Sequence, residues 1–436
     1  MAKNTLRAIE GTRDLFGADM DRYEAVLEAG RTVFGRYGYA AIATPIFEDT
    51  RLFQRSLGED TDIVEKEMYT FKPGSDTITL RPEGTAGVIR ALLQHNLHRE
   101  QGFWKLWYAG PMFRRERPQK GRYRQFHQIG VEAVGSNDPL LDAECIRMAL
   151  DFFTALGLGD VRIRINSIGC MKPECRPAFQ AKLRAAVEPE LSRFCPNCQN
   201  RFGKNLLRIL DCKNPRCRAI RDSLPRSDAH LCAECARHDR SVEEALTAGE
   251  IPFARDPFIV RGLDYYTRSV FEFTHESLGA QDAICGGGRY DGLVEKLGGP
   301  SLPAVGFAVG LDRVMIALEE KPVRVADAAH RLQVYGVAVG DAPRKAMTGI
   351  LARLRAAGLS ADMDFEGKSL KAQMKKADRT GAAVALILGE EELSSGTVAL
   401  RDMREGAQTS AALPEIKEAV LRLLSRQSPV ERDRSS

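Results

Sequence analysis

The sequence predicts an α+β core built on a mixed, mostly antiparallel sheet, with a helical insertion and a small α/β domain after it. Apolar residues alternate with period two in several stretches before about residue 310, which is typical of strands. The strand pattern stops in a cysteine-rich stretch, and beyond residue 330 strand and helix patterns alternate. We therefore expect a core over 1–325, an insertion at about 171–252, an α/β domain over 331–425 and a disordered tail at 426–436.

The elements of the core begin with an amphipathic helix over 20–38, in which Val26, Val33 and Phe34 point inward. A strand over 39–47 and a short strand over 78–83 follow. A helix is predicted over 85–98, with Thr85 as its cap and backbone N–H groups left for a ligand. The remaining predicted strands cover 104–114, 125–134, 161–166, 258–273 and 304–309.

The insertion holds eight of the ten cysteines, arranged as four close pairs. Such pairs in a reducing compartment suggest zinc or redox chemistry rather than disulfides. One candidate set of structural zinc ligands takes the two Cys-x-x-Cys motifs together, Cys195, Cys198, Cys232 and Cys235. A second arrangement makes two sites from successive pairs, and a third leaves the thiols reduced without metal.

The C-terminal domain is predicted from a strand over 332–339, a helix over 343–357, a basic helix over 370–379, a strand over 383–388 and a final helix over 414–424. A linker precedes it at 322–329, where the apolar period is lost. Strand–helix alternation of this kind indicates a small α/β domain.

Composition excludes several classes of protein. The net charge of +4 is too small to indicate nucleic-acid binding by itself. The N-terminus lacks an apolar signal-peptide region, and no apolar run reaches the roughly 18 residues of a membrane span. We expect a cytoplasmic enzyme without a membrane partner.

Residues 261–268 read RGLDYYTR, with an arginine at each end of a Tyr-Tyr pair. The aromatic alternation that continues to Phe273 is ordinary for a strand. A strand does not explain the two arginines, which predict an anion-binding function for this segment.

A second segment, 108–132, reads as a hairpin with a charged loop of six basic residues and one acid between Arg114 and Arg124. Glu116, Gln128 and Glu132 are expected to project from its strands. Carboxylates and amides in a sheet are costly unless they bind something. The hairpin is therefore a candidate binding site.

These two segments resemble motif 2 of the class II aminoacyl-tRNA synthetases and the histidine signature of the histidyl-tRNA synthetase family. Residues 304–313 resemble motif 3, and residues 10–14 with the helix and strand to Pro45 resemble motif 1 and its lead-in. The resemblance covers about residues 5–425. It implies the order of the sheet, an anticodon-binding role for the C-terminal domain, and an insertion that lies over the tRNA acceptor stem.

The resemblance implies a two-step reaction in which L-histidine and ATP, with Mg²⁺, form histidyl-adenylate, and the histidyl group then passes to the 3′ end of tRNA(His). It also implies a homodimer. Three catalytic arginines match the motifs, namely Arg114, Arg261 and Arg313. ATP-binding positions are matched by Arg114, Glu116 and Arg313, and positions that meet the tRNA acceptor end by Arg117, Gln119 and Arg124.

The expected L-histidine site contains groups for the carboxylate, the ammonium and the ring. Glu83, Thr85 and Gln128 match positions that hold the ammonium. Glu132 and Tyr266, with Tyr265 beside them, match those that face the ring nitrogens. The full set is Glu83, Gly84, Thr85, Arg114, Gln128, Glu132, Arg261, Tyr265 and Tyr266. The glycine run at 286–288 is expected to permit a close approach of the substrate or to form a turn.

Two other functions stay open at this point. One is a regulatory paralogue that binds histidine without charging tRNA, of the ATP phosphoribosyltransferase type; that class lacks the C-terminal domain. The other is a zinc-stabilised nucleic-acid-binding protein, which would leave Glu83, Gln128 and Glu132 without a role.

Overall fold

The computed structural model describes residues 6–58, 61–319 and 332–427. The chain divides into two compact units, residues 1–325 and 326–436. The predicted linker at 322–329 and the predicted tail from residue 428 onward lie outside the described residues. Residues 425–427, which the sequence assigned to the tail or its border, belong to the last helix.

Eight of the described strands form the main sheet of the first unit. Its order is β1-β5-β6-β11-β10-β9-β7-β8, and only the outermost pairs, β1 with β5 and β7 with β8, are parallel. The prediction of a mixed, mostly antiparallel sheet is confirmed. The strands are β1 (Ala40–Ala41), β5 (Trp104–Phe113), β6 (Gln125–Val134), β7 (Arg162–Ser167), β8 (Ala254–Arg255), β9 (Thr267–Thr274), β10 (Ala283–Arg289) and β11 (Ala304–Gly310).

One face of this sheet is apolar and packs on helices α1 (Ala18–Arg36) and α5 (Pro139–Ala155). The ring of Phe34 lies 5.9 Å from that of Phe307 in the sheet and 5.6 Å from that of Phe152 in α5. Alternate residues of each strand face this core. The other face is therefore left for the site.

Two strand predictions differ from the structure. The segment 39–47 is not one strand, because β1 joins the main sheet whereas Phe47–Asp49 (β2) joins a small sheet with β3 (Tyr69–Phe71) and β4 (Ile78–Leu80). Residues 258–266 are irregular, and only the rest of the predicted strand forms β9. The glycine-rich strand β10 was not predicted, since glycine is depleted in strands.

The short helices around the small sheet are α2 (Thr50–Leu57), α3 (Thr85–Gln94) and α4 (Leu97–Glu100). The helix predicted over 85–98 breaks at Asn96, whose φ of 55° is left-handed. This conformation suits asparagine better than most residues, so the helix ends there.

The insertion is helical, as predicted. It contains α6 (Arg176–Val187), α7 (Pro196–Lys204), α8 (Pro215–Arg221) and α9 (Ala233–Ala248). After it, α10 (Leu293–Lys296) and α11 (Leu311–Glu319) complete the described part of this unit.

The second unit is the predicted α/β domain. Its sheet has the order β13-β12-β14-β15-β16, in which β12 pairs in parallel with both neighbours. Its elements are β12 (Val334–Ala338), α12 (Asp341–Ala356), β13 (Ala361–Met363), α13 (Leu370–Arg379), β14 (Val384–Leu388), α14 (Glu390–Ser395), β15 (Thr397–Asp402), β16 (Gln408–Ala412) and α15 (Ile416–Gln427). Within the described ranges, no helix of either unit combines the length and apolarity of a membrane span.

Candidate active site

Glycines form the floor of a cavity on the second face of the main sheet. A Cβ added to Gly130 would overlap Tyr108, one added to Gly306 would overlap the Glu132 carboxylate, and one added to Gly286 would overlap the Arg261 guanidinium. Because these positions carry no side chain, the side chains of Tyr108, Glu132 and Arg261 can lie directly against the backbone of the sheet.

The run at 286–288 thus permits a close approach, but within a strand rather than in a turn. The groups that lie close are the protein's own side chains, Arg261 over Gly286 and Tyr266 beside Gly288. Every predicted amino-acid-binding and ATP-binding residue lines the cavity except Gly84. At Gly84 a Cβ would overlap the Tyr108 ring, so this glycine makes room for Tyr108.

Glu83 lies buried at one end of the cavity. Its carboxylate accepts hydrogen bonds from the backbone N–H groups of Thr85 at 2.7 Å and Ala86 at 2.9 Å. These are the first free N–H groups of α3, so Glu83, and not Thr85, caps the helix. The Thr85 hydroxyl turns instead into the cavity and donates to Glu132 Oε1 at 2.7 Å.

Glu132 is buried beside these groups and accepts a second hydrogen bond from the Tyr290 hydroxyl. Burial raises its pKa to about 8, and the bonds from Tyr290 and Thr85 oppose that rise only in part. The pKa of Glu83 is also raised by burial. A low-polarity cavity that holds two acids favours their neutral forms.

Tyrosines enclose this end of the cavity. The Tyr265 ring lies 4.8 Å from that of Tyr266 and 5.4 Å from that of Tyr290. Tyr108 and Tyr290 also line the cavity and were missed from the sequence. Tyr290 lies two residues after the glycine run 286–288, and Tyr108 lies opposite Gly130 in the sheet. A tyrosine near glycines is the sequence signal that could have identified both residues.

Gln128 lies on the same face of β6 as Glu132. Its Oε1 atom is buried and finds no hydrogen-bond partner among the described residues. A buried acceptor without a partner costs free energy, so this atom is suited to a donor on a ligand.

Arginines form the other end of the cavity. Arg114 Nε donates to the Pro82 carbonyl at 2.9 Å, and Arg313 Nε donates to the Gly121 carbonyl at 3.2 Å. Arg261 Nη1 donates to the Glu272 carboxylate at 3.1 Å. All three arginines line the cavity and are held by hydrogen bonds, and the positive charge that they gather there favours the binding of an anion.

Glu116 is the acid among these arginines. Its carboxylate lies 2.8 Å from Arg122 Nε and 3.9 Å from Arg114 Nη1. It lines the cavity and is only 15% exposed. An oxygen ligand at this position fits the predicted contact with Mg²⁺ or the nucleotide.

The three residues predicted to meet the tRNA lie outside the cavity. Arg117 and Gln119 are exposed in the 114–124 loop. Arg124 is instead bound to the N-terminal segment, with its Nη1 3.1 Å from the Glu10 carbonyl and its backbone N–H 2.7 Å from the Gly11 carbonyl.

Arg268, the second arginine of the 261–268 segment, does not face the cavity. It forms ion pairs with Glu234 of the insertion and with Asp291. Of the two arginines that bracket the tyrosine pair, only Arg261 lines the cavity, so the anion-binding function predicted for this segment rests on that end of it. Residue 268 lies at the start of a strand next to the insertion, which the sequence pattern could not show.

The cysteines form two clusters that differ from both predicted metal sets. The outer cluster joins the first pair to the last, and the inner cluster joins the second pair to the third. The predicted set took one pair from each cluster and is not formed, because the insertion folds back on itself and nests the pairs. The outer cluster is Cys170, Cys175, Cys232 and Cys235, and the inner cluster is Cys195, Cys198, Cys212 and Cys217.

A mostly antiparallel sheet that carries one arginine at the end of a long hairpin and another at the start of a helix defines a class II aminoacyl-tRNA synthetase. The model of the family "Histidyl-tRNA synthetase" matches residues 11–314, and that of "Anticodon binding domain" matches residues 333–423. The chain belongs to the histidyl-tRNA synthetase family.

Relatives agree along the whole chain. It is 47% identical over 420 residues to a histidine–tRNA ligase of Halothermothrix orenii, covering 96% of this chain and 100% of the relative. The histidine–tRNA ligase of Moorella thermoacetica is 49% identical over 411 residues, or 93% and 96% of the two chains. The crystal structure of apo Staphylococcus aureus histidyl-tRNA synthetase matches with 34% identity, a TM-score of 0.80, and coverage of 95% and 100%.

These matches bear on the regulatory alternative. That class lacks the C-terminal domain, whereas this chain has one that matches the anticodon-binding family. The comparisons give the regulatory function no support over the ligase.

Proposed function

We propose that this enzyme activates L-histidine with ATP to histidyl-adenylate and transfers the histidyl group to the 3′ end of tRNA(His). The observation that carries the proposal is a cavity with two unlike ends, one lined by buried acids and tyrosines and the other by arginines. Histidine has a cationic ammonium and a polar ring, and ATP has a polyanionic chain. One cavity thus offers hydrogen-bonding groups to histidine and positive charge to the phosphate chain of ATP.

At the acidic end, Glu83 and the unpaired Gln128 oxygen are suited to accept from the α-ammonium. Glu132 and Tyr266 are suited to the two ring nitrogens, with Tyr265 beside them. A neutral Glu132 can donate one hydrogen bond and accept another, which is what a neutral imidazole requires. Phenylalanine or leucine would leave these buried groups unpaired and would be rejected.

In the first step, a histidine carboxylate oxygen attacks the α-phosphorus of ATP, and the bond to the bridging oxygen breaks to release pyrophosphate. Arg114 and Arg261 would approach the α-phosphate from opposite sides, and Arg313 would contact the γ-phosphate. Their fixed positive charge stabilises the charge that develops in the transition state. Glu116 is the carboxylate that would contact a Mg²⁺ ion bound with ATP, and the ion would neutralise part of the phosphate charge.

In the second step, a ribose hydroxyl of the terminal adenosine attacks the adenylate carbonyl carbon, and AMP leaves. The exposed loop residues Arg117 and Gln119 are available to an approaching acceptor end. Arg124 is less suited, because its side chain is engaged with Glu10. The described residues of the cavity offer no group that acts unmistakably as a base, and an AMP phosphate oxygen is a suitable proton acceptor.

The proposal includes the parts that the resemblance implies outside the cavity. The C-terminal domain would bind the anticodon, the insertion would lie over the acceptor stem, and the enzyme would act in the cytoplasm as a homodimer. Large apolar side chains in the motif 1 lead-in support an interface, since Leu6, Ile9 and Phe16 are 97%, 72% and 80% exposed.

The test is histidine-dependent exchange of pyrophosphate into ATP, with all other amino acids as controls, followed by tRNA charging. Exchange with histidine alone is expected. Folded protein that binds histidine but supports no exchange would refute the ligase function. Gln119→Ala should weaken charging and leave exchange intact, and an equal loss in both would remove Gln119 from the acceptor site.

A further inference from the structure

The eight cysteines of the insertion are arranged as two separate groups of four sulfurs. Within each cluster, all four Sγ atoms lie within 4.8 Å of one another. Cys170 and Cys232 of the outer cluster and Cys195 of the inner cluster are partly exposed, and the other five cysteines are buried. The reaction described above requires neither of these two groups of four thiols.

The spacing of the sulfurs matches a tetrahedral site for one ion. Cys170 Sγ lies 3.8 Å from Cys232 Sγ, and Cys195 Sγ lies 3.8 Å from Cys212 Sγ. Four sulfurs at about 2.3 Å from a central zinc are about 3.8 Å apart in a tetrahedron. Disulfides need sulfurs at about 2.05 Å, and none of the ten described cysteines forms one.

Backbone N–H groups point at the sulfurs in both clusters. The N–H groups of Cys170 and Cys232 each donate to Cys175 Sγ at 3.4 Å. In the inner cluster, the Cys195 N–H donates to Cys217 Sγ at 3.2 Å. Donors of this kind stabilise a thiolate, the form that binds metal, and orient it as outer-shell partners of a metal site do.

We infer that each cluster binds one Zn²⁺ ion through four cysteine thiolates. Four protein ligands leave no open position for water or substrate, so both sites are structural rather than catalytic. Binding displaces the thiol protons to solvent and involves no change of oxidation state. A polynuclear iron–sulfur cluster would hold its four cysteines farther apart than a single ion does, and zinc suits an all-thiolate tetrahedron.

The two sites hold different parts of the insertion. The inner site closes the stretch from 195 to 217. The outer site closes the longer stretch from 170 to 235, which contains the inner site and ends in the first turn of α9. A metal that joins distant parts of a chain restricts the unfolded state as a cross-link does, and more so for the longer loop.

The outer site also lies next to the 261–268 segment. Arg176, directly after Cys175, donates to the backbone carbonyls of Gly169 and Tyr266. Glu234, within the Cys232–Cys235 turn, forms an ion pair with Arg268. The outer zinc therefore acts as a positioning element for the irregular segment that carries Tyr266 and leads into β9.

The test is metal analysis of the full-length enzyme after exhaustive desalting. We expect about two zinc ions per chain, one for each cluster. The double variant Cys195→Ser/Cys198→Ser and the double variant Cys232→Ser/Cys235→Ser should each retain about one. Cys145→Ala, a cysteine outside both clusters, should retain two and serves as the matched control. Iron in place of zinc, or eight reactive thiols without bound metal, would overturn the inference.

Cobalt keeps the inference testable where a serine variant does not fold. Wild-type enzyme grown or reconstituted with Co²⁺ should show sulfur-to-metal charge-transfer and tetrahedral d–d absorption for about two ions. The absorption of octahedral Co²⁺, or the absence of any sulfur-to-metal charge-transfer band, would contradict an all-thiolate site. For the positioning role, the outer double variant should raise the KM for histidine several-fold more than the KM for ATP; equal changes in both would reduce the outer zinc to a purely structural element.

Discussion

The two ends of the cavity are built in opposite ways. At the arginine end, each guanidinium is held by a group other than its neighbouring arginines, such as the Pro82 carbonyl for Arg114 and the Glu272 carboxylate for Arg261. At the acidic end, the groups hold one another, as Thr85 and Tyr290 do with Glu132. The first arrangement presents fixed positive charge to a polyanion. The second recognises one small molecule through a hydrogen-bond network, in which the removal of one member leaves the others without a partner.

The largest expected effect is at the arginine end. Arg114→Ala should lower the rate of pyrophosphate exchange by about 10²–10³-fold, the usual cost of losing one transition-state donor. Arg114→Lys should recover little, because an ammonium cannot replace the planar fork. Steady-state exchange at saturating substrates measures this, and a change confined to the KM for histidine would contradict the proposed role.

The next largest effect is expected at the acidic end, where a substitution should weaken the binding of histidine but not of ATP. Glu132→Ala leaves the Thr85 and Tyr290 hydroxyls without an acceptor. The substitution also removes the hydrogen bond from Glu132 to the histidine ring, whose loss costs about 1–3 kcal/mol, so the KM for histidine should rise about 5- to 150-fold. The KM for ATP should stay within about two-fold. A parallel rise in both would mean that the two ends do not act separately.

A smaller effect is expected at the glycine floor. In Gly306→Ala the new Cβ would overlap the Glu132 carboxylate and the Val131 carbonyl. Because backbone cannot move away as a flexible side chain can, we expect a loss of about 1–3 kcal/mol in stability or histidine binding. Gly35→Ala is the matched control, since Gly35 lies in a helix with open space around it. Calorimetry and histidine titration of the two variants test this expectation. Equal stability and equal histidine affinity in Gly306→Ala and Gly35→Ala would contradict it.

The smallest effect is on the pH dependence of stability. Burial raises the pKa of Glu132 in the folded chain to about 8, whereas the ordinary pKa of a glutamate is 4.5. The stabilisation from this proton is therefore complete below about pH 4.5 and lost as the pH rises through 8. Glu132→Gln should make the midpoint of thermal unfolding less dependent on pH between 6 and 9. Glu276→Gln, at an exposed carboxylate, should behave like wild type; an unchanged slope in Glu132→Gln would remove the argument for a protonated Glu132.

The sequence predicted the sheet, the insertion and the C-terminal domain, because each depends on local periodicity that survives in the fold. It also predicted most of the cavity, since the residues of motif 2 and of 261–268 match a known pattern. It missed Tyr108 and Tyr290, because the place of Tyr108 opposite Gly130 and of Tyr290 against Glu132 depends on how the strands pair. It could not assign partners to Arg268, because Glu234 and Asp291 are distant from it in sequence.

The cysteines show where local pattern stops being informative. Spacing identified the four pairs but not which pairs meet, because pairing depends on the tertiary path of the chain between 170 and 235. The predicted set joined the two Cys-x-x-Cys motifs, which lie in different clusters. Likewise, Thr85 had the residue type of a helix cap, but the buried Glu83 carboxylate takes that position.

The most direct test of the central claim is equilibrium binding of each substrate alone to two variants, one from each end of the cavity. Calorimetric titration of Glu132→Gln should show weakened histidine binding with ATP binding preserved, and Arg313→Ala should show the reverse. That double dissociation is the result expected from two separately built ends. Loss of both substrates in both variants would contradict it and would mean that the cavity acts as one undivided site.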